Sequence, residues 1–277
     1  FIIQNSDLLI CIGSRLSISH IGRNYKAFAR EAKKVIVDID KYELKKKTIQ
    51  PYIPVNCSAK YFINEMLKRI KEINNPSLPK WVDKCKEYKS KFQLAAIDVK
   101  KDCVNAYSFV DQLSNKMWEG DIITIDGGSP IIYFMQRFKF KKDQRLIAAT
   151  GMDNYNFALP ASIGACIGSK GKNIICICED TGFLRHVQEL ETIINNKLPI
   201  IIFVLNSGGY SYIRKTQKEY FGGRYIASAR SNEVSSRYIM KIGKAYEIPA
   251  YRIANTKELE KNLGKFLRLN GPIICEI

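Results

Sequence analysis

Long apolar runs and histidines are scarce in this sequence. The longest unbroken apolar stretch, Leu198 to Leu205, is far too short to span a bilayer, and no charged-then-apolar signal segment opens the chain. The two histidines, His20 and His186, have no partner at metal-ligand or catalytic-triad spacing. The sequence therefore predicts a soluble, cytoplasmic protein with no membrane partner, and it gives the histidines no catalytic role.

C-x-x-C pairs are absent, although the chain has eight cysteines. Cys11, Cys176, Cys178 and Cys275 lie inside apolar, strand-like runs, where a thiol behaves as a small hydrophobic group. Cys176 and Cys178 are expected on the same face of one strand. This distribution predicts reduced, structural cysteines, as in a cytosolic protein.

Acidic residues are few: 27, against 44 lysines and arginines, which gives a net charge of +17. Such an excess can neutralise nucleic-acid phosphates, but the lysines are spread along the chain and no nucleic-acid-binding motif accompanies them. We therefore predict a solvated basic surface and no nucleic-acid partner. An anionic substrate or an acidic partner subunit is the alternative.

Apolar strand-like runs alternate with helical patterns along most of the chain. The predicted strands are Asp7–Gly13, Lys34–Asp40, Asp121–Asp126, Arg145–Thr150, Asn173–Cys178, Pro199–Asn206, Tyr251–Ala254 and Pro272–Ile277. The predicted helices lie near Lys26–Ala32, Ala59–Glu72, Ser108–Met117, Leu159–Gly168, His186–Asn195, Glu233–Tyr246 and Thr256–Leu269. This alternation predicts parallel sheets covered on both faces. The predicted fold class is α/β, with two Rossmann-like parallel-sheet domains, the first of them incomplete.

Three regions follow from this pattern. Residues 1–73 contain two clear strands, too few for an independent sheet, so we expect the end of a larger domain. Residues 74–103 are polar and lysine-rich and are expected to connect the domains, with a surface helix at Trp81 to Phe92. Residues 104–277 form the second domain. Because the chain opens without Met and stops inside an apolar strand, we expect both ends to be cut.

Two predicted loops at the carboxyl ends of strands carry the residues that suggest chemistry. The loop 179–183, Glu-Asp-Thr-Gly-Phe, opens a helix, and the loop 206–210, Asn-Ser-Gly-Gly-Tyr, follows the next strand along the chain. One helix and one strand separate the loops, so both emerge at the same edge of a parallel sheet. Carboxylate, hydroxyl and carbonyl oxygens suit Mg²⁺, and N–H groups at a helix N-terminus suit phosphates.

These loops and their surroundings resemble one enzyme family. The block Glu179–Ile193 followed by Asn206–Thr216 resembles the thiamine diphosphate motif, written G-D-G and, one βα unit later, N-N. Residues 206–217, NSGGYSYIRKTQ, and 149–165, ATGMDNYNFALPASIGA, are similar to acetolactate synthase-like decarboxylases and carboligases. Residues 1–73, with SDLLICIGSRL and VIVDID, resemble that family's middle domain. The resemblance to the acetolactate synthase large subunit thus covers nearly the whole chain and implies thiamine diphosphate and Mg²⁺ as cofactors.

The resemblance also implies roles for single residues. Asp180 would bind the metal through its carboxylate, Ser207 through its side chain and Gly209 through its carbonyl oxygen. The other implied cofactor-binding residues are Thr181 and Gly182 at the diphosphate, Gly127 and Gly128 in a second diphosphate-side turn, Asp153 and Tyr155 at the pyrimidine side, and Tyr210 in the second loop.

The implied reaction is decarboxylation of a 2-keto acid, with pyruvate as the expected substrate, and carboligation to a second carbonyl. In this family a glutamate of the first, pyrimidine-binding domain activates the cofactor, and that domain is expected to be absent here. No catalytic residue is therefore assigned, and the chain alone is expected to be inactive. The expected partners are copies of the same chain in a homodimer or homotetramer, or a separate subunit that carries the first domain.

Several family residues are replaced. Glu179 and Thr181 stand in place of both motif glycines, and Ser207 stands in place of an asparagine. Asp153 and Asn156 replace two further glycines. A carboxylate at 179 is expected to repel a diphosphate unless it points away.

Other interpretations stay open. Asp180 can be an acidic cap of its helix, and the turn at 206–209 can be a plain connection that uses glycine for positive φ. The altered motif favours a non-catalytic remnant that keeps the fold without the cofactor. Arg15 and Asp38 are where FAD would bind in the middle domain, but many relatives lack flavin, so FAD is not favoured. A nicotinamide-dependent oxidoreductase is the third alternative. The sequence has no G-x-G-x-x-G motif, which such an enzyme would be expected to have.

Overall fold

The computed structural model describes residues 1–72, 78–92, 103–151, 156–170, 172–228 and 238–277. The chain divides into two compact units, Phe1–Ala95 and Ala96–Ile277. Each unit has its own parallel sheet, which confirms the predicted fold class. The predicted connector at 74–103 lies partly outside the described residues, and its boundaries stay a prediction.

The first unit contains a three-stranded sheet. Its strands are β1 (Leu8–Ile12), β2 (Lys33–Asp38) and β3 (Ile53–Asn56), in that spatial order and all parallel. Its α-helices are α1 (Ile18–Ile21), α2 (Ala59–Lys68) and α3 (Pro79–Lys91). Helix α3 has no buried residue, which confirms the surface helix expected at Trp81 to Phe92.

Two sequence predictions for the first unit are wrong. The prediction of two strands misses β3. Its Pro54 cannot donate a backbone hydrogen bond, and a proline argues against a strand. Strand β3 tolerates Pro54 because it lies at the edge of the sheet. The helix predicted at Lys26–Ala32 is a short 3₁₀ turn at Tyr25–Ala27. Ala29 has a φ of 42°, which an α-helix does not permit. The Gln4 side chain accepts the Ala29 N–H at 2.8 Å and helps to hold this conformation.

The second unit contains a six-stranded parallel sheet with the spatial order β5-β4-β6-β7-β9-β8. Its strands are β4 (Ile122–Ile125), β5 (Arg145–Ala148), β6 (Ile174–Glu179), β7 (Ile200–Leu205), β8 (Ala250–Arg252) and β9 (Ile273–Glu276). Its helices are α4 (Ala106–Lys116), α5 (Ser129–Arg137), α6 (Ala158–Gly168), α7 (Asp180–Arg185), α8 (Glu189–Asn195), α9 (Ser211–Tyr220), α10 (Ile239–Ala245) and α11 (Thr256–Phe266).

Apolar side chains cover both faces of this sheet. Along β6, Ile175 and Ile177 face a layer built by α4, α5 and α11. Cys176 and Cys178 face the opposite layer, built by α6, α8 and α10. A sheet buried on both faces accounts for the continuously apolar strands. The prediction that both thiols share one strand face is confirmed.

The strand order changes direction beside β4. The chain leaves β4 for the outer strand β5 and returns to β6 on the other side of β4. The loops after β4 and β6 therefore lead to different sides, and α/β proteins bind ligands in the crevice that such a switch point leaves at the carboxyl ends of the strands. Asp126 follows β4 and Asp180 follows β6. The topology thus makes this edge the candidate site.

Some helix predictions for the second unit are wrong. The sequence patterns give no helix at α5 or α9. Helix α5 exposes Ile132 and Met135, so its apolar residues do not form a single buried stripe. Helix α9 begins two residues after a glycine pair. The helix predicted at His186–Asn195 begins at Glu189, because Asp180–Arg185 already forms a separate helix. The structure places α10 at Ile239–Ala245, and residues 233–237 of the longer helix predicted there lie outside the described residues.

None of the helices in the described part of the chain combines the length and apolar character needed to cross a membrane.

Gly243 of α10 marks a tight contact and gives a first prediction. A Cβ at this position would lie 2.6 Å from the Ala250 Cβ and 3.2 Å from the Ile248 carbonyl oxygen. We expect Gly243→Ala to destabilise the chain by about 1–3 kcal/mol, because overpacking outweighs the gain in helix propensity. Urea unfolding measures this change.

Gly164 of α6 provides the matched control. A Cβ there would meet nothing within 4 Å. Gly164→Ala should therefore stabilise the chain by up to about 1 kcal/mol. Equal effects of the two substitutions would contradict the packing argument.

Candidate active site

The two loops singled out by the sequence meet at the carboxyl edge of the second sheet. Asp180, the first residue of α7, is fully buried. Its Oδ2 accepts the Gly209 N–H at 2.9 Å, and its Oδ1 accepts the N–H of Thr181 at 2.9 Å. Strands β6 and β7 are direct neighbours, with Glu179 opposite Leu205. The register of two parallel strands therefore brings a carboxylate against the glycine turn.

The turn after β7 is held by its own polar groups and by one arginine. The Ser207 hydroxyl donates to the Gly209 carbonyl oxygen at 2.6 Å. Gly208 and Gly209 have φ values of 72° and 107°, a region that side chains other than glycine rarely enter. Arg214 of α9 donates to the carbonyl oxygens of Ser207 and Gly208 at 2.7 and 3.1 Å. Helix α9 thus holds the turn through the side chain of Arg214.

Asn206 ties the same turn to the neighbouring strand. Its Nδ2 donates to Oε1 of Glu276 at 2.7 Å, and its Oδ1 accepts the Gly208 N–H at 3.2 Å. Glu276 ends β9, which pairs with β7. The first asparagine of the motif therefore helps to orient the turn.

Asp126 links the strands on the other side of the crevice. Its Oδ1 accepts the N–H of Ala158, the first residue of α6, at 2.8 Å, and its Oδ2 accepts the N–H of Glu179 at 3.1 Å. Burial raises the pKa of Asp126 to about 7, although the hydrogen bonds from Ala158 and Glu179 act against the rise. Asp126 thus positions the start of α6 and the end of β6.

Glu179 is the third buried carboxylate at this edge, with 6% of its surface exposed. Ser129, the first residue of α5, is one of the groups that act on its charge. Burial raises the pKa of Glu179; the hydroxyl of Ser129 lowers it, and the charge of Asp180 raises it. The replacement of a motif glycine thus places a buried carboxylate directly before Asp180, and its repulsion of a diphosphate stays a prediction.

A metal ion at this edge would need a mixed set of oxygen ligands. In the described part of the chain, no three His, Cys, Asp or Glu side chains form a group that could hold a metal. The carboxylate of Asp180, the hydroxyl of Ser207 and the carbonyl of Gly209 are hard oxygen donors of the kind that Mg²⁺ binds. Each Asp180 oxygen accepts one hydrogen bond and keeps a second lone pair. The donor set therefore fits Mg²⁺.

The remaining predicted cofactor-binding residues divide into three groups. Thr181 and Gly182 lie buried in the first turn of α7, and Gly127 and Gly128 lie in the turn between β4 and α5, with a φ of 79° at Gly128. The Tyr210 hydroxyl accepts a 2.5 Å hydrogen bond from Arg185. Asp153 and Tyr155 lie outside the described residues. All these roles stay predictions.

The sequence patterns assign no role to three residues that build this edge. Asp126 and Arg214 each bridge two elements through the contacts given above, and the Ser129 hydroxyl lies 3.0 Å from the hydroxyl of Ser211, the first residue of α9. The signal for Asp126 and Ser129 is local: a carboxylate and a hydroxyl flank the Gly127-Gly128 pair directly after a buried strand. Arg214 gives no such signal, because its carbonyl partners come from two other segments.

The residues expected at a flavin or dinucleotide site in the first unit have protein partners. Arg15 forms a 3.1 Å ion pair with Glu43, and Oδ1 of Asp38 accepts the backbone N–H of Asp40 at 2.9 Å. His20 shares a hydrogen bond with Ser17. These side chains are engaged by other groups of the first unit, so the described geometry offers no observation that favours FAD or a nicotinamide.

Comparison with known proteins agrees with this geometry. Residues 126–277 match the family described as thiamine pyrophosphate enzyme, C-terminal TPP binding domain. Over its full length the chain is 28% identical to a probable acetolactate synthase large subunit of Methanocaldococcus jannaschii, 26% to the acetolactate synthase large subunit of Porphyra purpurea, and 25% to the chloroplastic acetolactate synthase 1 of Zea mays. It covers 47%, 46% and 44% of these proteins, so it spans about half the length of the relatives it matches.

Proposed function

The chain belongs to the thiamine pyrophosphate enzyme family, and on this premise we propose that it binds thiamine diphosphate with Mg²⁺ at the carboxyl edge of its second sheet. The observation that carries the proposal is the 2.9 Å hydrogen bond between the Asp180 carboxylate and the Gly209 N–H. This contact holds a carboxylate and a carbonyl-rich turn close enough to share one cation. A buried carboxylate at a helix start needs no such partner if it serves only as a cap.

Three residues would hold the metal: Asp180, Ser207 and Gly209. Gly182 through its N–H and Thr181 through its hydroxyl would donate to the diphosphate, as groups at helix N-termini do for phosphates, while the Thr181 N–H stays with the Asp180 carboxylate. Arg214 and Asn206 would not contact the metal. They would position its ligands, because Arg214 binds the carbonyl oxygens of the 207–209 turn and Asn206 accepts the Gly208 N–H.

The reaction we propose is decarboxylation of a 2-keto acid, with pyruvate as the first substrate to test, followed by carboligation to a second carbonyl. When bound, thiamine diphosphate supplies the nucleophilic carbon and the electron sink that this chemistry needs. The residues of this chain bind and orient the cofactor. The named relatives are acetolactate synthases, and this supports the choice of reaction.

We propose that activity requires residues from outside this chain, either a separate first domain or further copies in a homodimer or homotetramer. The chain covers less than half of its acetolactate synthase relatives, and no glutamate of the described residues is assigned to cofactor activation. We therefore expect cofactor uptake without turnover when the chain is tested alone.

Calorimetric titration of the 277-residue chain with thiamine diphosphate tests the proposal. We expect one site per chain, with affinity falling about tenfold or more, that is by about 1.4 kcal/mol, when EDTA replaces Mg²⁺. NADH should produce no heat of binding. Absence of uptake at millimolar thiamine diphosphate, even with a first domain from a relative added, would favour a remnant that keeps only the fold.

A further inference from the structure

A chain of hydrogen bonds joins the last strand of the second sheet to the turn that follows β7. Nδ2 of Asn206 donates to Oε1 of Glu276 at 2.7 Å, and Oδ1 of Asn206 accepts the Gly208 N–H at 3.2 Å. Glu276 is the last residue of β9, and only 8% of its surface is exposed. A buried carboxylate is thus connected to the Gly208 backbone through a single side-chain amide.

Strand pairing holds this carboxylate in place. Strand β9 lies between β7 and β8 and is parallel to both. The Glu276 carbonyl oxygen accepts the Ile253 N–H at 2.9 Å, and the backbone N–H of Asn206 donates to the Ile277 carbonyl oxygen at 2.8 Å. Arg252 of β8 lies opposite Glu276 in the register, with its Nε 3.8 Å from Oε1. Backbone hydrogen bonds on both sides of β9 therefore fix where the Glu276 side chain starts.

The carboxylate decides which way the Asn206 amide faces. The two ends of an amide have nearly the same shape, but one end only donates and the other only accepts. Because a carboxylate only accepts, it selects the Nδ2 end and leaves Oδ1 for the Gly208 N–H. The opposite orientation would bring two acceptors together at Glu276 and two donors together at Gly208.

We propose that Glu276 is a positioning residue for the metal site: by orienting the Asn206 amide, it holds the 207–209 turn in the conformation that binds Mg²⁺. This inference rests on the proposed function, because it assigns Glu276 a part in affinity at that same site. Gly208 and Gly209 both have positive φ values, and glycine loses more conformational freedom on ordering than other residues. The turn therefore needs side-chain contacts to keep one conformation, and the Asn206 amide supplies one of them.

Two variants test whether the carboxylate orients the amide. In Glu276→Gln the new side chain can donate or accept, so both orientations of Asn206 become possible. In the double variant, Asn206→Asp with Glu276→Gln, the side chain at 206 can only accept. It then pairs with the amide at 276 and with the Gly208 N–H, which restores a single arrangement. The double variant keeps the net charge of the unchanged chain.

Two measurements are compared for each chain. NMR follows hydrogen exchange of the Gly208 amide without cofactor, and calorimetry in MgCl₂ gives the affinity for thiamine diphosphate. For Glu276→Gln we expect the exchange rate and the dissociation constant each to rise about tenfold, since outer partners of metal ligands contribute about 10–100-fold. The double variant should return both quantities to within about threefold of the unchanged chain, because its acceptors are again in place.

Glu258→Gln is the matched control. Nδ2 of Asn255 donates to Glu258 at 3.1 Å and its Oδ1 accepts the Glu258 N–H at 3.0 Å, so the same amide and carboxylate pair occurs at the start of α11. This pair follows β8, which β9 separates from β7. The control should leave Gly208 exchange and cofactor affinity unchanged. Circular dichroism confirms that each variant is folded, and Glu276→Asp, which withdraws the carboxylate by one carbon, replaces Glu276→Gln if that variant is not.

The outcomes separate this inference from the proposed function. If Gly208 exchange rises in Glu276→Gln and returns in the double variant, but no chain binds thiamine diphosphate, the orienting role stands and the proposed function fails. If the unchanged chain binds the cofactor and Glu276→Gln matches it in exchange or in affinity, the inference is overturned. A double variant without recovery would overturn it too, because Glu276 would then act through packing alone. Equal losses in Glu258→Gln would do the same, because they would show a general effect of stability.

Discussion

Replacement of Asp180 by asparagine is expected to weaken uptake of thiamine diphosphate and Mg²⁺ at least 100-fold. The metal would lose the one charged ligand of the proposed set, and loss even of an outer partner of a metal ligand costs about 10–100-fold. Asparagine keeps the shape of the side chain and one acceptor oxygen for the Gly209 N–H, which now lies 2.9 Å from Oδ2. Because the amide nitrogen cannot accept the N–H of Thr181, which now lies 2.9 Å from Oδ1, circular dichroism checks that the variant keeps its fold.

Calorimetry with Mg²⁺ present measures this change. Asp83→Asn is the control, since Asp83 lies on the surface helix α3 and forms only an exposed ion pair with Lys86. It should bind the cofactor like the unchanged chain. If the affinity of Asp180→Asn for thiamine diphosphate with Mg²⁺ is within threefold of that of the unchanged chain, Asp180 serves only at the helix start and the metal assignment is wrong.

The meeting of Asp180 with the 207–209 turn could be predicted from the sequence. Both loops follow buried strands separated by one helix, and a right-handed parallel crossover places such strands side by side with their carboxyl ends together. The structure has this arrangement, with β6 paired to β7 over six residues. A local pattern and one general rule were sufficient.

The hydrogen bond from the Glu179 N–H to the Asp126 carboxylate could not be predicted in the same way. It depends on β4 lying next to β6 while β5 lies on the far side of β4. Sequence periodicity identifies strands but gives no order within a sheet. Helix α5 is a second example. Because the sequence patterns miss this helix, they also miss that Ser129 is its first residue.

The first sheet shows a different limit. Pro54 argues against a strand, and only the edge position of β3 makes it acceptable. At Ala29 the contact with Gln4, 25 residues away, outweighs local helix propensity. Both errors come from tertiary contacts that override a local preference.

A second large effect is expected from Asp126 in the stability of the cofactor-free chain. The pKa of Asp126 is raised from 3.8 to about 7 in the folded chain, mainly by burial. Between these values the folded chain holds a proton that the unfolded chain has released, so the free energy of unfolding falls as pH rises from about 4 to about 7. At 1.36 kcal/mol per unit the full effect is roughly 4 kcal/mol. Burial raises the pKa of Glu179 as well, which acts in the same direction.

Urea unfolding between about pH 5 and pH 8 measures this dependence, and Asp126→Asn isolates it. Asparagine cannot titrate, yet its oxygen can still accept the N–H of Ala158 or Glu179, the two present partners. The variant should therefore lose most of the slope between about pH 5 and pH 7, and its stability should exceed that of the unchanged chain most clearly above pH 7, where charged Asp126 is costly. Asp83→Asn, an exposed change, should keep the full slope. A slope that survives in Asp126→Asn would place the titrating group elsewhere and would leave Asp126 as an ionised acceptor that stabilises the starts of α6 and α7 at every pH.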